Sequence, residues 1–386
     1  MKTEEKIIKY LAKEIVYGNQ RDLLLKSLKA ENIHGKNLGY AIFYHELPHF
    51  LQVILKENSY PIPKGFEQLY KKFYCLKIFN HENLCIELSN ILKEAEKSDT
   101  LIIPIKGFSL PDKYYKHFGI RPSSDIDLFT TEKNFEKATF LLLAMGYKKE
   151  FLGSDEAYWR KHQCHLSFTK ETNGQATLVE LHWALDCNRF KQKVLPDAWN
   201  RLRLIQGPGY SFRALSAEDT ILSLALHQRR FGKILNLKYI CDLGIILKEE
   251  NLNWEYILKA AEQEKAKASL YLLLYQMQFV LDVDLKFFLK KLKVPGWQKY
   301  LISSIVQRFT YTPVRMENLP YIYTLCQFIY YDTISYPLKY ILTVPQEQFA
   351  KYYSLPQRCV TTARKYHLRI FYIPYRLIKH IFKMIF

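Results

Sequence analysis

The spacing of hydrophobic residues predicts helices at both ends of the chain. Up to about residue 97 the apolar positions recur at helical intervals, and the clearest helical face comprises Leu84, Leu88, Ile91, Leu92 and Ala95. Beyond about residue 188 the helical spacing returns and is interrupted by prolines. We therefore expect a helical N-terminal region over 1–97 and a helical C-terminal domain over 189–355.

Between these helical parts the pattern changes to the period of β-strands. Short apolar or alternating segments lie at 101–105, 125–129, 165–168 and 176–183. The last two segments flank a turn signal at 173–174, and a helical pattern over 132–145 ends at Gly146. The sequence predicts an α+β fold in which a small mixed β-sheet core, residues 98–188, is flanked by N- and C-terminal helical regions.

Three acidic residues occupy suitable positions in the predicted strands. Asp125 and Asp127 are two residues apart, so on a strand their carboxylates share one face. Glu180 alternates with Val179 and Leu181, and it therefore faces away from these apolar neighbours. Such oxygen ligands hold the divalent metal that phosphoryl and nucleotidyl transfer require. We predict all three as catalytic and metal-binding residues, with Glu180 either completing the metal site or acting as general base; the alternatives are a solvated strand end and a salt-bridged strand residue.

Residues near these acids are suited to binding a phosphorylated substrate. A glycine lets the backbone approach phosphate closely, and a neighbouring lysine or arginine supplies positive charge. The predicted substrate-binding residues are Lys106, Gly107, Ser109, Arg121, Ser124 and His182. Two of them have a structural alternative, which is a cap or salt bridge for Arg121 and a hydrogen-bonded, half-buried histidine for His182.

The order of these motifs resembles that of a known family. The motifs are Ile105-Lys106-Gly107, the segment 121–129, Gly146-Tyr147 and the segment 179–183. Over roughly residues 80–250 the chain is similar to the bacterial uncharacterised nucleotidyltransferases of the DNA polymerase β-type superfamily. One departure is that the superfamily's glycine-serine signature usually sits closer to the aspartates, whereas Asp125 here follows Gly107 by 18 positions.

The resemblance implies a small α/β sheet with two metal-binding aspartates and a third acid. It implies transfer of a nucleoside monophosphate from a nucleoside triphosphate, by default ATP, with Mg²⁺ or Mn²⁺ as cofactor and pyrophosphate as product. The acceptor would be a hydroxyl group on a sugar, a metabolite, a peptide or a protein. The alternative function is a catalytically degenerate nucleotide-binding protein that acts in membrane-surface or complex assembly.

The charge of the chain suggests anionic partners. Lys and Arg number 56 against 38 Asp and Glu, a formal net charge of +18. The segment 356–386 is a basic aromatic tail that contains seven Lys or Arg residues and no acid, with isoleucines and leucines at helical intervals. This tail is consistent with packing on the protein's own core, with peripheral contact to an anionic membrane, or with nucleic acid; the last is least favoured because no nucleic-acid module is recognisable.

Two features concern the cellular compartment. The seven cysteines are scattered without a C-x-x-C pair, a pattern that fits neither a disulfide framework nor a zinc site and favours a reducing compartment. The first residues lack the apolar segment of a signal peptide, and the longest apolar stretch, 270–281, is shorter than the roughly 20 residues of a spanning helix. We expect a cytoplasmic protein, with membrane-peripheral placement if the tail binds lipid.

Overall fold

The structure is a computed structural model of the 386-residue chain. It describes residues 2–30, 33, 35–61, 67–110, 114–115, 121, 123–151, 156–172, 174–186, 195–207, 210–229, 235–312, 319–342 and 375. The basic aromatic tail therefore lies outside the described residues, apart from Tyr375.

Helices occupy the N-terminal part of the chain, as the hydrophobic spacing predicted. They are α1 (Thr3–Tyr17), α2 (Arg21–Leu28), α3 (Gly35–Tyr44), α4 (Pro48–Glu57) and α5 (Glu67–Lys97). The first helix begins where Glu5 accepts a hydrogen bond from the backbone of Lys2 at 2.9 Å, and it ends at Gly18 in the left-handed conformation. The apolar face of α1 is buried against α9 and α11 of the C-terminal part.

The central part contains a five-stranded mixed sheet and two helices. Its elements are β1 (Ile103–Pro104), β2 (Ile126–Phe129), α6 (Phe135–Ala144), β3 (Lys148–Glu150), α7 (Glu156–His162), β4 (His165–Thr172) and β5 (Gln175–His182). The strand order is β1-β2-β5-β4-β3, in which only the β2–β5 pair is parallel. The expected α+β architecture, a small mixed sheet flanked along the chain by N- and C-terminal helical regions, is thus confirmed.

The strands are shorter than the sequence pattern suggested at two places. The apolar run 101–105 forms only the two-residue strand β1, since Pro104 has no backbone N–H to donate to a ladder. The alternation over 125–129 becomes a strand only from Ile126, and Asp125 lies in the bend that precedes it. Of the two aspartates, only Asp127 is therefore a strand residue, and Asp125 lies just before the strand.

A second, two-stranded sheet was not predicted from the sequence. The antiparallel strands β6 (Arg203–Gly207) and β7 (Tyr210–Ala214) form a hairpin inside the region whose spacing indicated helices. Ile205, Phe212 and Ala214 are buried in a small apolar cluster at this hairpin. The hairpin leads into the C-terminal helices.

The C-terminal helices pack around α11. They are α8 (Ala217–His227), α9 (Leu237–Glu249), α10 (Trp254–Gln263), α11 (Lys267–Leu281), α12 (Lys286–Lys291), α13 (Gly296–Phe309), α14 (Leu319–Tyr330) and α15 (Ser335–Leu342). The predicted cap at Ser216 is present, and its hydroxyl accepts a hydrogen bond from the Asp219 N–H at 3.1 Å. None of the described helices is both long and apolar enough to cross a membrane.

The two large hydrophobic cores do not correspond to consecutive parts of the chain. One core joins N- and C-terminal helices, and it includes Leu11, Leu243 and Leu273, all fully buried. The other joins α5 and α6 to the sheet, and Phe135 and Phe168 are fully buried in it. Each buried leucine or phenylalanine contributes about 1.5–3 kcal/mol. The two helical ends therefore stabilise one another, while the boundaries at 97, 188 and 355 remain predictions.

Candidate active site

Two carboxylates meet across the parallel pair of strands. Asp127 on β2 is the partner of Glu180 on β5 in the strand register. Because side chains at partnered positions point to the same face of a sheet, both carboxylates converge at one place. Asp127 is buried and Glu180 is half-buried, whereas the flanking Val179 and Leu181 are completely buried in the opposite core.

Asp125 adds a third carboxylate beside this pair. It lies immediately before β2 and is half-buried. The Ser124 hydroxyl donates a hydrogen bond to Asp125 Oδ1 at 3.2 Å. Both Ser124 and Asp125 line the same cleft as Asp127 and Glu180.

A lysine and a histidine hold the two partnered carboxylates. Lys106 Nζ donates a hydrogen bond to Asp127 Oδ1 and lies 3.9 Å from Glu180 Oε2. His182 Nε2 is 3.0 Å from Asp127 Oδ1 and 3.3 Å from Glu180 Oε2. Since an ionised carboxylate only accepts hydrogen bonds, His182 donates to Asp127 when its ring proton is on Nε2. On the other side, His165 Nε2 lies 3.5 Å from Glu180 Oε1.

These neighbours keep Asp127 ionised. Burial by itself would raise the pKa of Asp127, because a charged carboxylate is poorly solvated there. The positive charge of Lys106 and the hydrogen bond from His182 outweigh burial, and the pKa of Asp127 falls below its ordinary value. The carboxylate is therefore available to bind a cation.

The predicted phosphate-binding turn lies directly beside the acids. Lys106–Ser109 forms a single 3₁₀ turn, in which Lys106 has a left-handed backbone with φ of 56°. A Cβ atom on Gly107 would come within 2.3 Å of Ser123 Oγ and 2.4 Å of Arg121 Nη1. Only glycine allows these two polar groups to approach the backbone so closely.

Arg121 is fixed by a partner far along the chain. Its Nε and Nη2 atoms both donate to the Asp242 carboxylate on α9, with the Nε contact at 2.6 Å. Burial would lower the pKa of Arg121, but Asp242 outweighs it and the pKa is raised, so the guanidinium stays charged. Its Nη1 atom is buried without a hydrogen-bond partner and lies against Gly107, and Arg121 is one of the residues that line the cleft. The ion pair that was the structural alternative for Arg121 is present, and one donor beside Gly107 remains without a hydrogen-bond partner.

Most of the predicted site residues come together in this cleft. Those that line it are Lys106, Gly107, Arg121, Ser124, Asp125, Asp127 and Glu180. Two others support it from behind. His182 is fully buried against the carboxylates, and the Ser109 hydroxyl is buried and donates to the Lys106 carbonyl at 2.8 Å. Their positions are those of residues that hold the acids and the 3₁₀ turn in place.

Further residues that line the cleft were not predicted as site residues. They are Glu46, Ser123, His227, Lys238 and Tyr239. Lys238 Nζ is 2.8 Å from Glu46 Oε2, and His227 Nε2 is 3.0 Å from the Tyr239 hydroxyl. Burial lowers the pKa of Lys238, although Glu46 opposes the shift. A lysine within an apolar helix was a signal for Lys238, whereas nothing in the local pattern distinguishes Glu46.

The side chains present fit a divalent cation. Asp127, Glu180 and His182 each place one ligand atom within 4.8 Å of the others, and Asp125 lies at the same cleft. Carboxylate oxygens are the ligands that Mg²⁺ and Mn²⁺ prefer. The ammonium of Lys106 occupies a position between two of these carboxylates, which shows that the arrangement stabilises positive charge.

A second group of metal-ligand types lies beside the first. Cys164, His165 and His182 also bring one ligand atom each within 4.8 Å of one another, and all three are buried. The linear spacing of the cysteines did not indicate such a group, because His165 follows Cys164 directly but His182 is brought to them by the pairing of β4 with β5. Among the described cysteines, Cys85, Cys164, Cys241 and Cys326 form no disulfide.

Comparison with known proteins gives the family. The family described as "Uncharacterised nucleotidyltransferase" matches residues 41–282, well over half of the chain. No curated protein matches the sequence. The matched range contains the sheet, all three acids and the residues that line the cleft, from Glu46 to Tyr239. The chain therefore belongs to the family of uncharacterised nucleotidyltransferases.

Proposed function

We propose that this protein transfers a nucleoside monophosphate from a nucleoside triphosphate to a hydroxyl acceptor and releases pyrophosphate. The proposal includes membership of the bacterial branch of the DNA polymerase β-type superfamily, with Mg²⁺ as the cofactor, Mn²⁺ as a substitute and ATP as the default donor. The observation that carries it is the convergence of Asp125, Asp127 and Glu180 in one cleft with the glycine turn at Gly107 and the cation of Arg121.

The acids would hold the metal, and the turn would hold the phosphates. Asp125, Asp127 and Glu180 supply the oxygen ligands, and a bound divalent ion neutralises phosphate charge and aligns the reacting groups. The backbone at Gly107 and the unpartnered Nη1 of Arg121 offer donors to phosphate oxygens. These donors lie beside the acids, as a triphosphate that spans both sets of groups requires.

The reaction forms one phosphorus–oxygen bond and breaks another. The acceptor hydroxyl oxygen bonds to the α-phosphorus, the bond between that phosphorus and the bridging oxygen breaks, and pyrophosphate leaves with the electron pair. The proton of the acceptor hydroxyl passes to a carboxylate, for which Glu180 is the candidate because it is the least buried member of the partnered pair. The acceptor is a hydroxyl-bearing sugar, metabolite, peptide or protein.

Calorimetric titration with a non-hydrolysable ATP analogue tests this function. Wild-type protein should bind the analogue in the presence of Mg²⁺ and much more weakly without it. The double variant Asp125→Asn with Asp127→Asn should lose the dependence on Mg²⁺.

The chain itself provides a matched control for that experiment. Asp282 and Asp284 form another Asp-x-Asp set, but they are exposed at the end of α11, where Asp282 pairs with Lys9 and Lys13. The double variant Asp282→Asn with Asp284→Asn should bind like wild type. Absence of any nucleoside triphosphate binding by folded wild-type protein would exclude the proposed function.

A further inference from the structure

Lys106 occupies the place in the site where a metal ion would be expected. Its ammonium donates to Asp127 Oδ1 and lies 3.9 Å from Glu180 Oε2, the same two carboxylates that face His182. The Lys106 side chain is 11% exposed, so it lies within the cleft rather than on its rim. One lysine charge therefore compensates two carboxylates that converge in a poorly solvated place.

The backbone of Lys106 is fixed, whereas its side chain can move. The residue begins the 3₁₀ turn, and its carbonyl accepts the hydrogen bond from the buried Ser109 hydroxyl at 2.8 Å. The ammonium is a compact charge on a flexible stem of four carbons. Rotation about these side-chain bonds can move the charge from the carboxylates towards the adjacent Gly107 without any change in the backbone.

A lysine charge and a divalent cation would repel one another at this position. Two positive charges held by the same pair of carboxylates lie within a few ångströms of each other, where little water is present to screen their repulsion. Binding of a metal by Asp127 and Glu180 therefore requires the ammonium to leave them. The proposed triphosphate, whose oxygens would lie beside Gly107, would stabilise the displaced ammonium.

We infer that Lys106 is an exchangeable counter-ion that makes the binding of metal and of nucleotide interdependent, an inference that rests on the proposed function. Without nucleotide, the ammonium competes with the metal for Asp127 and Glu180. With nucleotide, the ammonium transfers to the triphosphate and the carboxylates become free for metal. The site therefore has a low affinity for metal alone and a higher affinity for metal when nucleotide is also bound.

Binding of Mn²⁺ to the Lys106→Met variant tests the inference. Methionine keeps the length of the side chain and removes its charge. In calorimetric titrations without nucleotide, Lys106→Met should bind Mn²⁺ about ten- to a hundredfold more tightly than wild type, which is the range that a charge-assisted hydrogen bond accounts for. The increase in Mn²⁺ affinity on adding a non-hydrolysable ATP analogue should be large in wild type and small in the variant.

Thermal unfolding provides a second readout. The variant leaves two converging carboxylates uncompensated, so its melting temperature should fall without metal and should rise more on adding Mn²⁺ than that of wild type. Lys170→Met is the matched control. Lys170 on β4 forms a half-buried ion pair with Glu87 on α5 at 3.1 Å, outside the cleft. This control should bind Mn²⁺ like wild type.

The outcomes separate the inference from the function on which it rests. One outcome would overturn the inference alone. In it, wild type binds Mn²⁺ together with the analogue, but Lys106→Met binds Mn²⁺ without nucleotide no more tightly than wild type does. A variant that stays unfolded at saturating Mn²⁺ would also overturn it, since the lysine would then be structural. Absence of Mn²⁺ and analogue binding in wild type would overturn both.

Discussion

Asp127 lies directly opposite Glu180 in the parallel strand pair β2–β5. Both carboxylates are thus held by strands whose opposite faces are buried, and no loop has to close to bring them together. Groups placed on rigid elements hold their geometry better than groups on loops. The side chains that contact this pair are therefore the natural places to perturb the site.

Replacing His182 should weaken metal binding through the orientation of the acids. Its Nε2 is 3.0 Å from Asp127 and 3.3 Å from Glu180. Loss of a residue that orients metal ligands costs about 10- to 100-fold in affinity. His182→Asn, whose amide reaches less far, should show this loss in Mn²⁺ titrations, and His182→Gln, which can place a donor near the Nε2 position, should retain most of the affinity. Equal losses in the two variants would contradict the orienting role.

Adding a methyl group at residue 107 should disrupt the turn beside the acids. A Cβ atom there would lie 2.3 Å from Ser123 Oγ and 2.4 Å from Arg121 Nη1, and Arg121 cannot move away without leaving Asp242. Gly107→Ala should lower the affinity for the ATP analogue by about tenfold or more, which corresponds to about 1.4 kcal/mol. Gly296→Ala is the control, since nothing lies within 4 Å of a Cβ at that position. Titration of both variants checks the prediction, and a Gly107→Ala variant that binds like wild type would refute it.

Removing the charge of Asp242 should destabilise the fold. The side chains of Arg121 and Asp242 are 5% and 0% exposed, so the arginine would be left as an uncompensated buried charge. Breaking one partner of a buried pair costs about 3–5 kcal/mol. Urea unfolding of Asp242→Asn should show a loss of this size. The control Asp282→Asn removes an exposed partner of Lys9 and Lys13 and should cost less than about 1 kcal/mol. Similar losses of unfolding free energy in the two variants would contradict the predicted contribution of the Arg121–Asp242 pair.

Burial of His81 should make the stability of the protein depend on pH. Burial, followed by the charges of Arg121 and Lys238, lowers the pKa of His81 from 6.5 to about 4. Below about pH 6.5 the unfolded chain binds a proton that the folded chain does not. The free energy of unfolding should therefore decrease as the pH falls from about 6.5 to about 4, by up to about 3 kcal/mol, and this contribution should level off below that range.

The variant His81→Asn should remove this dependence. In wild type the Ser123 N–H donates a hydrogen bond to His81 Nδ1 at 3.3 Å, and the asparagine amide oxygen can replace Nδ1 as the acceptor. Urea unfolding at about pH 7.5 and about pH 5 should show wild type losing about 2 kcal/mol more than the variant. Parallel pH profiles for the two proteins would mean that His81 does not titrate in this way.

The order of helices and strands could be predicted from the sequence because it depends on local periodicity. The alternation around Glu180 indicated a strand with one polar face, and Val179 and Leu181 are indeed buried on the other. The helical spacing at both ends of the chain likewise matches α1–α5 and α8–α15. The hairpin β6–β7 was missed because its apolar residues are few and its strands are short. Periodicity reports which face of an element is buried, and it does so without reference to the rest of the chain.

The surroundings of the acids depended on tertiary structure. The pairs Arg121–Asp242 and Glu46–Lys238 join residues 121 and 192 positions apart, and no local pattern relates such residues. The sequence by itself determined that three acids, a glycine turn and basic residues are present in a strand-rich segment. Only the tertiary structure decided that Arg121 pairs with Asp242, that Lys106 pairs with Asp127, and that the Glu46–Lys238 pair lines the cleft. The reason is that these contacts form where elements far apart in the sequence pack together.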